Sequence, residues 1–233
     1  MTPLVVLATV ASYAVGWVVR LPVLVPILNT LASYPFMVLA LRRGDLRLAL
    51  IRMLVWALSL GLCATLVSYV RPWESGDLFL RGASYRTDMF VWVMTGRGAE
   101  STPSQFIPGQ LADAALFAVC ALVTGGALAM AMGAVLMNEM GHYAGSLAAA
   151  SAHPALTLIL AWHPWAVIRI VAFVVLGVVL SVPLLSRIGG VRVDRTLALR
   201  VTGWAAAGLV ADVALKAALA PSWQRLLLRI VGW

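Results

Sequence analysis

Long apolar runs separated by short polar segments follow one another along the whole chain. A helix that crosses a bilayer needs about 20 mainly apolar residues, and seven segments come close to that length or exceed it. The sequence therefore predicts an all-α polytopic transmembrane helical bundle, forming a single integral membrane domain over residues 1–233. The predicted spans are residues 3–19, 22–41, 53–70, 109–137, 144–162, 165–186 and 196–219.

Residues 71–108 form the one sizeable extramembrane loop, because they contain four of the nine acidic residues and few apolar runs. Within this loop Thr87 can cap a short apolar stretch from Asp88 to Met94 that stops at Gly96. About two helical turns cannot cross a bilayer. The stretch therefore predicts a short interfacial helix, anchored by the tryptophans nearby.

The last twelve residues have the pattern of an amphipathic C-terminal helix. Arg225 and Arg229 fall on one helical face, and the apolar side chains fall on the other. These apolar residues are Trp223, Leu226, Leu227, Ile230 and Trp233.

Composition agrees with a membrane protein. Hydrophobic residues make up 62% of the chain and charged residues 11%, whereas an ordinary soluble domain has about a quarter of its residues charged. The formal net charge of +8 does not indicate nucleic-acid binding, because the basic residues lie at the ends of apolar runs and are not interleaved with stacking aromatics. Cys63 and Cys120 lie inside apolar runs without metal-ligand spacing.

Arginine placement predicts the orientation of the bundle. The connection 42–52 carries four arginines and the turn at Arg20 carries one, so the positive-inside rule places 42–52 and the N-terminus in the cytoplasm. Arg187, Arg192 and Arg195 also reach the cytoplasm only if 144–162 crosses. We therefore expect seven spans in a bacterial cytoplasmic membrane, with a re-entrant 144–162 and six spans as the alternative.

Small residues recur on neighbouring turns of the predicted fourth span, at Gly125, Gly126, Ala129 and Gly133. Small side chains let helix backbones approach closely in lipid, where no hydrophobic effect drives helices together. This face predicts burial against other helices, and protein partners or self-association besides the lipid bilayer.

The first group of candidate functional residues is Asn138, Glu139, His142 and Tyr143, which follow an apolar run and are expected at the inner membrane surface. Glu139 and His142 have Glu-x-x-His spacing, which places both side chains on one helical face, where they can transfer a proton or hold a metal. A di-iron bundle needs two such motifs. The chain has one, so no metal or cofactor is predicted. The alternative is a polar helix end at the head groups.

The three histidines form the second group. The seven-span arrangement places His142 at the inner surface, His153 at mid-depth and His163 at the outer surface. His153 and His163 would lie about 15 Å apart along one helix and could not share a metal. We interpret His142 and His163 as interfacial residues and His153 as a hydrogen-bonded core residue.

Four further ionisable residues fall inside or near spans, where a charge is costly and marks a candidate site. Asp212 and Lys216 are four residues apart and are expected to pair directly. Arg169 can extend to the interface or pair with Asp113 across the bundle.

Three functional hypotheses remain open at this point. Small size, the small-residue face and the absence of a catalytic motif favour a non-enzymatic integral membrane subunit, permease-like or accessory, within a larger complex. An integral membrane enzyme that acts on a lipid-linked substrate through Glu139 and His142 is the first alternative. A haem- or quinone-associated redox subunit is the second.

Overall fold

Helices make up all the regular structure of the described residues, 2–233, in a computed structural model of the protein. The predicted all-α bundle is confirmed. The 71–102 connection also contains 3-10 turns at Glu74–Gly76 and Ala99–Ser101. The helices are α1 (Thr2–Val19), α2 (Leu24–Leu31), α3 (Tyr34–Arg42), α4 (Leu46–Val70), α5 (Gly82–Thr95), α6 (Pro103–Thr124), α7 (Ala127–Ala149), α8 (Pro154–Ala161), α9 (Pro164–Gly189) and α10 (Arg195–Val231).

Six segments are long and apolar enough to cross a membrane: α1, α2 with α3, α4, α6, α9 and α10. Helix α7 is not among them although it has 23 residues, because Asn138, Glu139 and His142 lower its hydropathy. It is instead the central helix, with every side chain from Met137 to Leu147 buried. A helix enclosed by other helices can carry polar groups that lipid would not tolerate.

The predicted span 109–137 is wrong, because the chain turns at Gly125 and Gly126. Both residues have left-handed backbone, with φ of +60° and +92°, which glycine adopts without strain. The Tyr34 hydroxyl donates to the Gly125 carbonyl at 3.1 Å and fastens the turn. These glycines therefore form a hairpin between α6 and α7, whereas Ala129 is fully buried within the chain.

The predicted span 144–162 is also wrong. Helix α7 continues to Ala149, and α8 has only eight residues, about 12 Å of helix. His153 lies exposed at the start of α8 instead of at mid-depth. Helix α7 thus takes the place that the sequence pattern gave to 144–162.

Other boundaries move by smaller amounts. Helix α4 begins at Leu46 and not at residue 53, because the Asp45 carboxylate accepts from the Leu48 backbone N–H at 2.8 Å. The span predicted at 22–41 bends where α2 ends and α3 begins. The helix predicted at 88–94 is longer, and the C-terminal amphipathic segment is not separate but continues α10 through Pro221.

Contacts between connections define two ends of the bundle. The arginine end comprises residues 42–47 and 187–200. The two connections touch there, since a Cβ atom added to Gly44 would lie only 3.1 Å from the Arg192 carbonyl oxygen. The loop end comprises Arg20, residues 71–102, residues 150–163 and the end of α10. Here Arg20 forms an ion pair with Glu74 at 4.0 Å. The Ser151 hydroxyl donates to the Ile230 carbonyl oxygen at 3.3 Å.

Helices α4 and α7 approach more closely than side chains would allow. A Cβ on Gly141 would lie 2.5 Å from the Ala64 Cβ, and one on Gly145 would overlap the Thr65 carbonyl oxygen. The Gly-x-x-x-Gly spacing puts both glycines on one face of α7, where backbone meets backbone. This contact, and not the small residues at 125–133, holds the central helix in place.

We expect Gly145→Ala to destabilise the fold by about 1–3 kcal/mol, because α4 must move away from α7 to admit a methyl group. The measurement is thermal unfolding in detergent. The matched control is Gly203→Ala on the exposed side of α10, where a Cβ meets nothing within 4 Å; this change is expected to be neutral or stabilising by up to about 1 kcal/mol. An equal transition temperature for both variants would contradict the close contact.

Candidate functional site: a cavity with one charged end

A cavity of about 930 Å³ lies among α4, α6, α7, α9 and α10 beneath the 71–102 connection. This volume is in the range of small-molecule and cofactor sites. Most of its wall is apolar and rich in methionine and aromatic side chains, which adapt to flexible ligands. These residues include Met37, Met53, Trp56, Phe106, Phe117, Met130, Met132, Met137, Met140 and Phe173.

Polar side chains from the 71–102 connection and from α6, α7, α9 and α10 line the rest of the wall. Three cations and four carboxyl groups belong to this charged end. The members are Arg81 before α5, Tyr85 on α5, Glu100 in the second 3-10 turn, Gln110 and Asp113 on α6, Glu139 on α7, Arg169 on α9, and Asp212 and Lys216 on α10.

Exposed lining residues on α6 and α10 indicate that the cavity opens on the side of the bundle between these helices. Leu111 and Leu116 on α6 line it and are 64% and 55% exposed, and Val210 on α10 is 71% exposed. Apolar side chains at an opening indicate that it faces lipid. An amphiphile can therefore enter from within a leaflet.

Two ion pairs brace the charged end, and neither is the pair expected from sequence. The Lys216 ammonium donates to a Glu100 carboxylate oxygen at 2.8 Å and lies 4.5 Å from the centre of the Phe106 ring. Arg169 Nε lies 3.8 Å from an Asp212 oxygen. The predicted Asp212–Lys216 pair is wrong, because the 71–102 connection brings Glu100 to Lys216.

The nearby cations favour the ionised form of Glu100. Burial alone would favour the neutral acid, but the ammonium of Lys216 and the guanidinium of Arg169 hold the pKa of Glu100 below its ordinary value. An ionised Glu100 is therefore part of the folded state. Asp113, the other partner proposed for Arg169, lies exposed at the cavity wall and forms no ion pair within residues 2–233.

Glu139 is a buried carboxyl group whose one ion pair is with an exposed arginine. Its side chain is 3% exposed, and its nearest cation is Arg81, with Nε 3.6 Å from Oε1. Arg81 is 72% exposed and has a left-handed backbone, with φ of 61°. Glu139 Oε1 accepts no hydrogen bond from the described residues, although buried oxygens nearly always have a donor.

Asp212 Oδ1 and both amide atoms of Gln110 are likewise buried at the cavity wall without a hydrogen-bond partner in the described chain. Charged and polar side chains that line one part of an otherwise apolar cavity are features of a binding site for a molecule with a polar head.

His142 is placed differently from Glu139, although both lie on α7. Its ring is fully buried beneath the Glu74–Gly76 turn, with Nδ1 3.0 Å from the Ser68 hydroxyl and 3.1 Å from the Ser75 hydroxyl. It does not line the cavity. Helix α7 runs from the arginine end towards the loop end, so His142 lies nearer the loop end.

The remaining candidates pack within the protein. The Asn138 amide oxygen accepts a hydrogen bond from the Tyr13 hydroxyl. The Tyr143 hydroxyl lies 3.4 Å from His163 Nε2, and the His163 ring stacks on Trp165 at 4.8 Å. Burial lowers the pKa of His163 to about 3, so its imidazole is neutral in the folded protein.

No cluster of three or more histidine, cysteine or acidic side chains suited to a metal ion occurs in residues 2–233. The Glu139 and Asp212 carboxyl groups line one cavity, whereas His142 and His153 lie outside it. The sequence singled out Asp113, Glu139, Arg169, Asp212 and Lys216. Four further residues join the site through the fold: Arg81, Tyr85, Glu100 and Gln110.

Neither a protein family, nor a curated protein, nor a solved structure matches this chain. Function is therefore argued from the cavity alone.

Replacing Lys216 with Met should destabilise the protein by about 3–5 kcal/mol, because Glu100 is left charged without its partner. The double variant Lys216→Met/Glu100→Gln should lose less. Both are measured by thermal or denaturant unfolding in detergent.

The Lys216–Glu100 ion pair also predicts how the stability of the protein depends on pH. Since the pKa of Glu100 is lowered, its contribution to stability is present at neutral pH and is lost as the pH falls below 4.5. This loss should be smaller in Lys216→Met. If the single and double variants are equally unstable, the ion pair does not stabilise the site.

Proposed function

We propose that this protein is an integral membrane enzyme that binds a lipid or lipid-linked substrate, with the substrate's head at the charged end and its chains along the apolar wall. The cavity carries this proposal, because its charged end is continuous with a large apolar region that opens sideways between α6 and α10. A water-soluble substrate needs neither an apolar wall of this extent nor a lateral opening.

Glu139 is the residue that we assign to proton transfer. Glu139 lines the cavity, and a carboxyl group can accept a proton from a substrate hydroxyl, or donate one when protonated. Arg81 is exposed and close to it, so its guanidinium can turn between Glu139 and a bound head. His142 has no part in this proposal, because it is enclosed by Ser68 and Ser75 away from the cavity.

The permease-like or accessory subunit expected from the sequence remains a prediction, since its main support was the lack of a catalytic set. The cavity favours the enzyme hypothesis over the subunit hypothesis. Its charged end provides positioned charges and a proton acceptor in one place, and its apolar part provides the affinity for chains.

We further propose that the N-terminus is cytoplasmic and that the charged end serves the outer leaflet of a bacterial cytoplasmic membrane. The arginine end carries Arg42, Arg43, Arg47, Arg187, Arg192, Arg195 and Arg200, and none of them forms an ion pair within the described residues. The positive-inside rule places such an end in the cytoplasm. The cavity's charged end then lies near the opposite surface.

Two glycines provide a matched test of substrate binding. Gly109 lines the cavity and Gly203 does not. At both positions an added Cβ atom would have no other atom within 4 Å. Gly109→Phe should fill the cavity, and about tenfold less lipid should copurify with it, as measured by mass spectrometry of extracts from purified protein. Gly203→Phe should retain the wild-type lipid.

Glu139→Gln separates binding from chemistry in the same experiment. It should copurify with lipid at close to the wild-type level, because the side chain keeps its size. Lipid profiles of expressing cells should show the substrate accumulating and the product lost. Equal lipid content in both phenylalanine variants contradicts the binding site, and a wild-type lipid profile with Glu139→Gln contradicts the enzymatic role.

Orientation is tested by labelling single cysteines in whole cells, after Cys63 and Cys120 are replaced with Ala. A cysteine at Ser84, exposed at the loop end, should react with a membrane-impermeant maleimide. A cysteine at Arg43, exposed at the arginine end, should react only after the membrane is permeabilised. The reverse labelling pattern would overturn the orientation.

A further inference from the structure

We infer that a second pocket, at the arginine end, binds the phosphate group of an anionic lipid head. This pocket has a volume of about 650 Å³ and lies between the end of α9, the connection 190–194 and the start of α10. It shares no lining residue with the cavity described above. The inference is therefore independent of the proposed enzyme.

The charged side chains that line this pocket are both cations. Arg192 and Arg195 are exposed, and neither forms an ion pair within residues 2–233. None of the described residues that line the pocket is acidic. A guanidinium group without a carboxylate partner keeps its N–H donors for a ligand, and its planar fork matches the oxygens of a phosphate.

A third arginine approaches the pocket from the connection before α4. A Cβ atom added to Gly189 would lie 3.7 Å from both Nε and Nη2 of Arg42. The Arg42 guanidinium therefore lies against the backbone beside Gly190, which lines the pocket. The close contact between Gly44 and the Arg192 carbonyl oxygen keeps the two connections together. Guanidinium groups from two connections thus converge at one pocket.

The two acidic side chains of the arginine end are used as helix caps. Asp45 accepts from the Leu48 backbone N–H at 2.8 Å. Asp194 accepts from the backbone N–H groups of Thr196 and Leu197 at 2.8 and 3.2 Å. Because seven arginines at this end face only these two acids, the surface is strongly positive. Basic clusters of this kind at a membrane surface attract anionic lipid heads.

Apolar walls indicate that the phosphate belongs to a lipid and is not a free ion. Val182 lines the pocket one helical turn before Ser186 on α9, which is long and apolar enough to cross the membrane, so the pocket extends towards the bilayer. The Ser186 hydroxyl donates to the Val191 carbonyl oxygen at 2.7 Å and holds the connection against α9. A free anion gains nothing from valine side chains, whereas the glycerol and first methylene groups of a lipid bury apolar surface against them.

The test uses two lipids that differ in the phosphate. Purified wild-type protein in neutral detergent is titrated with dioctanoyl phosphatidylglycerol and, separately, with dioctanoylglycerol, and the bound fraction is measured by native mass spectrometry. The variant Arg192→Gln/Arg195→Gln should bind phosphatidylglycerol about tenfold more weakly than the wild type, because two cations are lost. Dioctanoylglycerol should bind both proteins equally.

The matched control is Arg97→Gln/Arg225→Gln, which removes the same charge from two exposed arginines at the loop end that line neither pocket. This variant should bind phosphatidylglycerol as the wild type does. Equal weakening in both double variants would mean that net charge alone attracts the lipid, and unchanged binding by Arg192→Gln/Arg195→Gln would mean that these arginines do not hold the head. Either result overturns the inference. Displacement of phosphatidylglycerol by an equal concentration of inorganic phosphate would assign the pocket to a free anion and overturn it as well.

Discussion

The close contact between α4 and α7 is the constraint on which the rest of this protein depends. Because Gly141 and Gly145 have no side chains, α7 lies against the backbone of α4 around Ala64 and Thr65. Helix α7 is thereby enclosed in the bundle and can carry polar residues at a depth where lipid would penalise them. Its Glu139 then faces a cavity while its His142 faces the serines beneath the loop.

The 71–102 connection contributes further charged residues to the cavity wall beside those of α7. It adds Glu100, which enters the bundle and neutralises Lys216, and Arg81, which reaches Glu139 from the loop end. Without Glu100, Lys216 would be a buried cation paired at best with Asp212 on its own helix. The connection is thus part of the cavity wall, and its ion pairs link it to α7 and α10. An enclosed charged end with an apolar continuation is the arrangement that an amphiphile requires.

Much of the architecture could be predicted because lipid imposes a simple rule on sequence: a crossing helix must be long and apolar. That rule located the helices that face lipid, among them α1, α4 and α9. It failed at Gly125–Gly126, where the same small residues suit both helix packing and a left-handed turn, and only the backbone φ values of the folded chain distinguish these uses. It failed again at 144–162, since α7 is shielded from lipid and the rule does not apply to a shielded helix.

The sequence by itself determined that this chain is a helical membrane protein and that Glu139, Arg169, Asp212 and Lys216 stand out as polar residues in apolar surroundings. The free-energy cost of placing a polar side chain in lipid is a property of that single residue, so it can be judged residue by residue from the sequence. Only the tertiary structure decided which of these residues meet. The partners are distant in sequence, as with Glu100 and Lys216, or separated by the rotation of one helix, as with Glu139 and His142. Pairing depends on how helices pack, and that is a property of the whole chain.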